Sequence, residues 1–244
     1  APPHTRPANG RPPNTQPHDP AARPTAFDSA RDGSNVKFPA GRFLVSRKIS
    51  ITKSVSIEGA GSSATILDAT PGSLGDTALF FIHAFPARVR NIGFNSRIVS
   101  NIYAYGGILF FDGEGLSPSP SGAIVENSAF VSPSGASYTS IGSRSVNDLR
   151  VTGSTFTTGF GIIFNNGFQA FVQGNTFLGN WPDQTYSGQS AFMAQGSNEI
   201  DVSGNTARSI DRANHQTLIR LFVAQGQGQG LTSNHYVGGN QTQG

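Results

Sequence analysis

The sequence predicts an all-β protein built as a parallel β-helix, and three observations lead to this fold class. Charged residues make up 13% of the 244 residues, about half of the ~25% in an average soluble domain, which argues against coiled coils and long-helix bundles. From Val36 onward, short runs of Val, Ile and Phe alternate with turns of Gly, Asn and Ser, as β-strands do. Paired apolar runs then recur along residues 80–240, which is the pattern of a stacked solenoid.

The first 24 residues predict an extended arm, followed by one β-helix domain over residues 25–244. Eight of the fifteen prolines fall in residues 1–24, and the only other apolar residues there are alanines. Such a segment cannot bury enough surface to offset the entropy of ordering it. We therefore expect it to anchor the domain to a partner, the alternative being a tail without a role.

Charge and composition limit the classes of partner. Residues 1–53 carry nine Lys or Arg and three Asp or Glu, a net charge of +6, whereas residues 54–244 carry eight and eleven, a net charge of −3. The chain has no basic helix and no zinc-binding Cys/His pattern, so nucleic acid is not the expected partner. No apolar run approaches 18 residues, so we expect no membrane span, and the start lacks the apolar region of a signal peptide. The lack of cysteine excludes disulfide scaffolds and thiol chemistry.

Two apolar runs at a fixed offset define the repeat. The later run aligns in six segments, Val89–Phe94, Val125–Phe130, Val151–Phe156, Val172–Phe177, Val202–Ala207 and Leu231–Tyr236. The earlier run occurs at Leu79–Ile82, Ile108–Phe111, Tyr138–Ile141, Ile162–Phe164, Ala191–Ala194 and Leu218–Val223. An offset of 13 residues separates the two runs four times, for example from Phe81 to Phe94. Two strands therefore repeat together.

Stacked coils explain this pattern, because a single coil is too small to bury its own apolar face. Coils about 4.8 Å apart pair their strands in parallel, which predicts one inward stack of four rings, Phe94, Phe130, Phe156 and Phe177. An asparagine also recurs at one repeat position, as Asn175, Asn205 and Asn234. Asparagine tolerates left-handed backbone geometry and its amides stack, so we interpret this set as a structural ladder and not as a binding site.

The opening of the domain resembles a known family. Val36–Val45 contains the motif Phe-Pro-Ala-Gly-Arg-Phe, Val55–Gly61 ends in a Gly-Ala-Gly turn, and Ala64–Asp68 reads Ala-Thr-Ile-Leu-Asp. These motifs resemble the first coils of the pectate-lyase-like right-handed parallel β-helix superfamily. The resemblance implies a single-stranded right-handed helix of about seven or eight coils. It implies no single activity, because the superfamily contains polysaccharide lyases, glycoside hydrolases, epimerases and phage tailspike or capsid-appendage proteins.

Asp112 and Glu114 form the first candidate catalytic pair, since hydrolysis of a glycosidic bond needs two carboxyl groups roughly 5–9.5 Å apart. They lie two residues apart at the start of an insertion, so in an extended segment both point to one side. The alternative is a solvated glycine-rich loop. A second polar insertion covers Asn180–Gly188, and insertions into a solenoid form loops that commonly lie on one face.

A second candidate is the densest ionisable group in the chain, Asp211, Arg212, His215 and Arg220. A lyase needs a base that removes the proton next to a carboxylate and a cation that stabilises the enolate. The alternative is Arg–Asp pairing on a surface turn. Calcium is left open as a cofactor, with Glu199 and Asp201 as further carboxylates, and no other metal or cofactor is expected. His83 is interpreted as a core or surface histidine in preference to a catalytic base.

Aromatic residues near turns provide a route to sugar binding, because exposed rings stack on sugar rings. The candidate ligand-binding residues are Trp181, Tyr186 and Tyr138, and the alternative is that they fold back over the coil ends. The chain has no Asp-Asp pair, no Gly-His-Gly and no Arg-x-Pro-x-x-Arg pattern. This absence weakens the enzyme hypothesis without excluding it.

The resemblance and the arm together give two function hypotheses. The first is a virion-type structural or adsorption protein, a phage tail or capsid appendage at the virion or extracellular surface. Its residues 1–24 would bind other proteins of the assembly, and its β-helix would face a host polysaccharide. Such proteins are often homotrimers, which multiply weak glycan contacts. The second is an extracellular polysaccharide lyase or glycoside hydrolase of the same fold, so whether the chain is an enzyme is left open.

Overall fold

The fold is a parallel β-helix, as the sequence predicts. The computed structural model describes residues 24–69, 78–96, 107–131, 139–157, 160–179, 190–209, 217–222 and 236–243. These residues form 23 strands in three parallel sheets, and their one helix is the short α1, Pro24–Ser29. The chain visits sheets A, B and C in turn, and each visit to all three makes one coil. Two sheets have eight strands and the third has seven, in agreement with the expected seven or eight coils.

Each sheet takes every third strand of the chain. Sheet A consists of β1 (Ser34–Lys37), β4 (Val55–Glu58), β7 (Ala87–Arg90), β10 (Ser121–Glu126), β13 (Asn147–Thr152), β16 (Phe168–Gln173), β19 (Asn198–Ser203) and β22 (Tyr236–Gly238). Sheet B consists of β2 (Gly41–Val45), β5 (Thr65–Ala69), β8 (Gly93–Ser96), β11 (Ala129–Val131), β14 (Thr155–Thr157), β17 (Thr176–Gly179), β20 (Thr206–Ser209) and β23 (Gln241–Gln243). Sheet C consists of β3 (Ile49–Ile51), β6 (Phe80–Ile82), β9 (Gly107–Asp112), β12 (Thr139–Arg144), β15 (Phe160–Asn165), β18 (Ser190–Gln195) and β21 (Thr217–Phe222).

The predicted aromatic stack forms the centre of the core. Phe94, Phe130, Phe156 and Phe177 occupy equivalent positions of successive sheet B strands. Their ring centroids are 5.1, 5.0 and 4.8 Å apart, and neighbouring planes differ by at most 12°. All four rings are buried, so offset stacking adds to the hydrophobic stabilisation of each coil.

The predicted asparagine ladder is confirmed at two residues and corrected at the third. Asn175 and Asn205 are buried at the corner between sheets A and B, and Asn205 Oδ1 accepts a hydrogen bond of 2.9 Å from the Asn175 backbone N–H. The next rung is Asn240, whose Oδ1 accepts from the Asn205 N–H at 3.0 Å, and not Asn234. The sixth repeat segment therefore starts at Val237, which pairs with Val202, six residues after the predicted start at Leu231.

The offset between the two apolar runs needs two corrections. The predicted offset from Val223 to Tyr236 is wrong, because Ala194 pairs with Leu221 and Ala207 pairs with Thr242, while Tyr236 belongs to sheet A. The second correction concerns the first coil. Ile82, and not Phe81, pairs with the inward Phe111 of the next sheet C strand. Phe81 pairs instead with Phe110 on the outer face. The 13-residue offset holds from Phe164 to Phe177 and from Ala194 to Ala207, because Phe164 pairs with Ala194 and Phe177 with Ala207.

Helix α1 closes the first end of the core. Phe27 is buried and contacts the rings of Phe38 and Phe80, with centroid distances of 6.3 and 5.9 Å. An aromatic cap of this kind covers apolar rungs that have no preceding coil to cover them. The predicted arm over residues 1–24 lies outside the described residues, except that Pro24 begins α1.

Corner length differs between the edges of the helix. From β7 onward, every corner between sheets A and B has two residues, the first with a positive φ, as at Asn127 (47°) and Gly174 (63°). The two predicted insertions fall at different edges. Residues 113–120 connect sheet C to sheet A, and residues 180–189 connect sheet B to sheet C.

Candidate functional site

Most of the predicted site residues lie outside the described part of the chain. This set comprises Trp181, Tyr186, Tyr138, Asp211, Arg212 and His215. Arg220 belongs to β21 and pairs in register with Met193, but its side chain is also outside the described set. Asp112 and Glu114 are described, and the site below is built from them.

Asp112 ends strand β9 and belongs to an exterior column on sheet C. It pairs in register with Arg144, Arg144 pairs with Asn165, and Asn165 pairs with Gln195. His83 directly follows Ile82, the partner of Phe111, so it lies one rung before Asp112. We call His83, Asp112, Glu114 and Arg144 the sheet C cluster.

Arg144 holds both predicted carboxylates. Its Nε donates to Asp112 Oδ1 at 3.0 Å and its Nη2 donates to Asp112 Oδ2 at 2.8 Å, which is a bidentate pair. Its Nη1 forms an ion pair with Glu114 Oε2. The Asp112 side chain is 6% exposed and that of Glu114 is 59% exposed. The two carboxylates therefore do point to one side, as expected for residues two apart, and they share one guanidinium.

The loop that carries Glu114 is fastened to the next coil. The Gly113 N–H donates to the Arg144 carbonyl at 2.8 Å, and the Glu114 N–H donates to Asp112 Oδ1 at 3.1 Å. A Cβ at Gly113 would lie 2.2 Å from the carbonyl oxygen of Ser145, so only glycine allows this close approach. Asp112 is consequently a buried strand-end residue and not part of a solvated loop.

An aromatic pair borders the cluster. Phe81 stacks on Phe110 at 5.1 Å between centroids, and the His83 ring lies 4.4 Å from that of Phe81. Lys48 Nζ lies 4.7 Å from the Phe81 centroid, and the Arg144 guanidinium lies 6.0 Å from that of Phe110. Phe110 is buried, Phe81 is half-buried, and Lys48 and His83 are exposed. We call Lys48, Phe81 and His83 the aromatic platform.

Both predicted carboxylates of the sheet C cluster are paired with a cation. A hydrolase needs one carboxyl group that donates a proton and a second carboxylate that acts as base or nucleophile. Here the oxygens of Asp112 and Glu114 both accept from Arg144. His83 also lies near the pair, with its Nδ1 3.9 Å from Asp112 Oδ2.

The sequence does not point to two residues of the site as binding or catalytic groups. It favours a core or surface role for His83, and it gives no local signal for Arg144. The strand register of sheet C could have identified Arg144. Arg144 follows the inward Ser143 just as Asp112 follows the inward Phe111, so the two residues occupy the same position of successive strands. The apolar run Tyr138–Ile141 ends before this position, so the alignment of apolar residues did not extend to it.

Within the described ranges, no three His, Asp or Glu side chains converge as ligands of a metal ion would. None of the helical residues described here forms a segment long and apolar enough to cross a membrane. Comparison of the chain with protein-family models, with curated proteins and with solved structures finds no match in any of the three.

Proposed function

We propose that this chain is a structural adsorption protein, a virion-type appendage whose β-helix binds a surface polysaccharide through the aromatic platform. In this proposal, residues 1–24 anchor the rod to other proteins of its assembly. The resemblance of the first coils to the pectate-lyase-like superfamily supports the proposal, since tailspike and capsid-appendage proteins belong to that superfamily.

The observation that carries the proposal is the composition of the platform. Phe81 presents a half-buried ring, and the exposed groups beside it are the Lys48 ammonium at 4.7 Å and the His83 imidazole at 4.4 Å. An aromatic ring contacts the apolar C–H face of a sugar, while an ammonium and an imidazole bond its carboxylate or hydroxyl groups. Arg144 pairs with both Asp112 and Glu114, so the group that favours an acidic polysaccharide is the Lys48 ammonium beside the Phe81 ring.

Rigidity supports the same proposal. The platform residues lie on or directly beside sheet C strands, and Phe110 beneath them is buried. A site on strands keeps its geometry before the ligand arrives, which lowers the entropy cost of binding. Weak single sites then suffice if the rod assembles as a homotrimer, because three linked sites raise the overall avidity.

Binding of the full chain to immobilised acidic and neutral bacterial polysaccharides tests the proposal. We expect Phe81→Ala and Lys48→Ala each to weaken binding to acidic polysaccharide at least tenfold. Phe171→Ala is the matched control, because Phe171 is an outward ring on sheet A with the Arg150 guanidinium 4.9 Å from its centroid. Equal losses in Phe171→Ala and Phe81→Ala, or no binding to any polysaccharide, would contradict the proposal.

The anchoring arm is tested separately. A variant without residues 1–23 keeps α1 and the whole described β-helix. We expect it to bind polysaccharide like the full chain and to be lost from the assembly into which the full chain incorporates. Unchanged incorporation would refute the anchoring role while leaving the adsorption proposal intact.

The second candidate function is an extracellular polysaccharide lyase, and one contact favours it. His83 Nδ1 lies 3.9 Å from Asp112 Oδ2, beyond hydrogen-bond distance, and a lyase would need this contact to tighten on substrate binding so that the carboxylate orients the imidazole as a general base. Incubation with uronic-acid polymers would then raise the ultraviolet absorbance of unsaturated ends, and His83→Ala would abolish that rise. Binding without any new absorbance leaves adsorption as the function.

A further inference from the structure

We propose that the outer face of sheet B carries a second sugar site, which takes an N-acetylated hexosamine unit. The site is a groove of about 190 Å³ bordered by Arg42, Ile66, Gly93, Asn95 and Ala129, together with Ser62, Phe94 and Val131. It lies on a different sheet from the platform. The inference extends the proposed adsorption function to a new site and a named ligand class.

The groove exists because one exterior column of sheet B changes abruptly in side-chain size. Successive rungs of this column are Arg42, Ile66, Gly93 and Ala129. Gly93 has no side chain, and Ile66 and Ala129 lie in the rungs on either side of it. A Cβ at Gly93 would lie 2.3 Å from the Ser62 carbonyl oxygen and 2.6 Å from Ile66 Cδ1. Packing therefore dictates glycine at this position.

Part of the groove lining is polar, and its groups are already oriented. Arg42 Nε donates to Asp68 Oδ2 at 2.5 Å, and Arg42 Nη2 donates to Asp68 Oδ1 at 3.1 Å. Asn95 Nδ2 donates to the same Oδ1 at 2.7 Å. Asp68 thus fixes Arg42 and Asn95 from behind, as supporting groups do in preorganised sites.

The groove is also lined by aliphatic side chains from the same two columns, that of Arg42 and that of Asn95. Ile66, Ala129 and Val131 present aliphatic carbons, and Val131 is 43% exposed. A recess lined both by fixed polar groups and by aliphatic carbons matches a ligand that has both kinds of surface. A sugar ring has this character, with hydroxyl groups at its rim and C–H groups on its faces.

Size and charge narrow the ligand class. Sites for drug-sized molecules run roughly 300–1,000 Å³, so a recess of about 190 Å³ holds one sugar ring with a short substituent. The positive charge of Arg42 is balanced by Asp68, so the site does not require an acidic ligand. A neutral monosaccharide unit fits both conditions.

The acetamido group supplies the specificity. Asn95 Nδ2 points to Asp68, and no described residue bonds the Asn95 Oδ1, which can accept from the N–H of an acetamido substituent. The acetamido methyl group then lies against Ile66, Ala129 and Val131. The remaining guanidinium N–H groups of Arg42 donate to ring hydroxyls, since guanidinium has five donors.

Saturation-transfer NMR on the full chain tests this assignment with N-acetylglucosamine, N-acetylgalactosamine and, as the control sugar, glucose. For a ligand of this size we expect a Kd of about 1 mM, with the strongest transfer to the acetamido methyl protons and at least tenfold weaker binding of glucose. Equal transfer from glucose, or no transfer to either N-acetylated sugar, would overturn the inference.

Two variants locate the binding in the groove. Ala129→Leu fills the recess from a lining residue, and Asn95→Ala removes the acetamido acceptor, so each is expected to weaken binding at least fivefold. Thr176→Leu is the matched control, because Thr176 occupies the same exterior column two rungs beyond Ala129, about 10 Å away. Loss of binding in Thr176→Leu as large as in Ala129→Leu would refute the location.

Binding of Phe81→Ala in both assays distinguishes failure of the groove assignment from failure of the proposed adsorption function. We expect Phe81→Ala to leave transfer to N-acetylglucosamine unchanged while it weakens polysaccharide adsorption. If N-acetylated sugars bind but no polysaccharide does, the groove stands and the adsorption proposal fails. If polysaccharide binds through Phe81 but no N-acetylated sugar binds, the groove assignment fails alone.

Discussion

Two polar columns of the described coils, one inside the A–B corner and one outside sheet C, obey different rules. In the interior ladder, side chains at one register accept from the backbone N–H of the preceding coil, through Ser128, Ser154, Asn175, Asn205 and Asn240. In the exterior column, the side chains are His83, Asp112, Arg144, Asn165 and Gln195. The first column repeats two residue types, whereas every rung of the second is different.

The difference shows how a solenoid separates structure from recognition. A rung of the interior ladder bonds its neighbours in the coils before and after it, so the same short side chain must recur. The Asn205 side chain, for example, accepts from the Asn175 N–H and donates to the Val172 carbonyl at 2.8 Å. A rung on the exterior needs only one partner and can therefore vary. Shared bonding therefore explains why the interior ladder repeats, and the exterior column is free of that requirement.

The largest expected effect is on the interior ladder. Asn205→Ala leaves the buried Asn175 N–H unpaired, which costs about 1–3 kcal/mol, and also removes the hydrogen bond to the Val172 carbonyl. We expect a loss of roughly 3 kcal/mol in the free energy of unfolding, measured by urea titration. The outward neighbour Thr206→Ala is the control and should change stability by less than about 0.5 kcal/mol. Equal losses of stability in the two variants would show that the interior ladder contributes no more to stability than an outward residue does.

Arg144→Gln tests the exterior column and is expected to cause the second-largest loss of stability. The variant leaves the Asp112 carboxylate buried without its cation. We expect a loss of about 2 kcal/mol, below the ~3–5 kcal/mol for breaking a fully buried pair because Arg144 and Glu114 are partly exposed. Arg150→Gln is the control, since the pair of Arg150 with Asp148 is a surface pair worth under about 1 kcal/mol. Denaturant titration of both variants measures these losses. A larger loss of unfolding free energy in Arg150→Gln than in Arg144→Gln would contradict this order.

Gly174→Ala has a smaller effect and tests the backbone of the A–B corner. Gly174 has a φ of +63° and open space where a Cβ would lie, so the cost is backbone strain alone. We expect a loss of about 1 kcal/mol in thermal unfolding. Asn127→Gly, at the same corner position with a φ of +47°, should change stability by less than about 0.5 kcal/mol. A stabilising Gly174→Ala would show that the corner does not require left-handed geometry.

The smallest expected effect concerns pH and the exterior of sheet A. The hydrogen bond from Asn35, followed by that from Arg90, lowers the pKa of Glu58 below its ordinary value. A lowered pKa in the folded state adds stability above the ordinary pKa, and that stability is lost as the pH falls through the folded value. Asn35→Ala should therefore raise the pKa of Glu58, measured by NMR titration of its side-chain carboxyl, and reduce the loss of stability in acid. An unchanged pKa would mean that Arg90 alone sets it.

The sequence predicted the parts of the fold that repeat and missed the parts that do not. The ring stack followed from four phenylalanines in matched motifs, because a stacked core demands the same residue at the same register. The last segment was placed at Leu231 because its ending, Tyr236, resembles the aromatic rung. In the structure Tyr236 lies outside and pairs with Asp201, while Asn240 continues the ladder without an aromatic neighbour. A ladder residue was thus a better guide to register than an aromatic residue.

The candidate site was only partly accessible from the sequence for the same physical reason. Asp112 and Glu114 were found as a local pair, two residues apart. Arg144 joins them from 32 residues away in the chain, and no rule of local spacing connects the two. Only the sheet C register makes them neighbours, and that register depends on corner lengths that vary from coil to coil.

The coil between Phe156 and Phe177 is the shortest in the repeat, since 177 − 156 gives 21 residues. Its three strands, β14, β15 and β16, are joined and followed by connections of two residues, at 158–159, 166–167 and 174–175. This coil is therefore a compact unit of three strands with short connections. Duplicating residues 155–175 would insert one more complete layer and lengthen the rod by about 4.8 Å, so the molecule offers its own unit for building rods of chosen length.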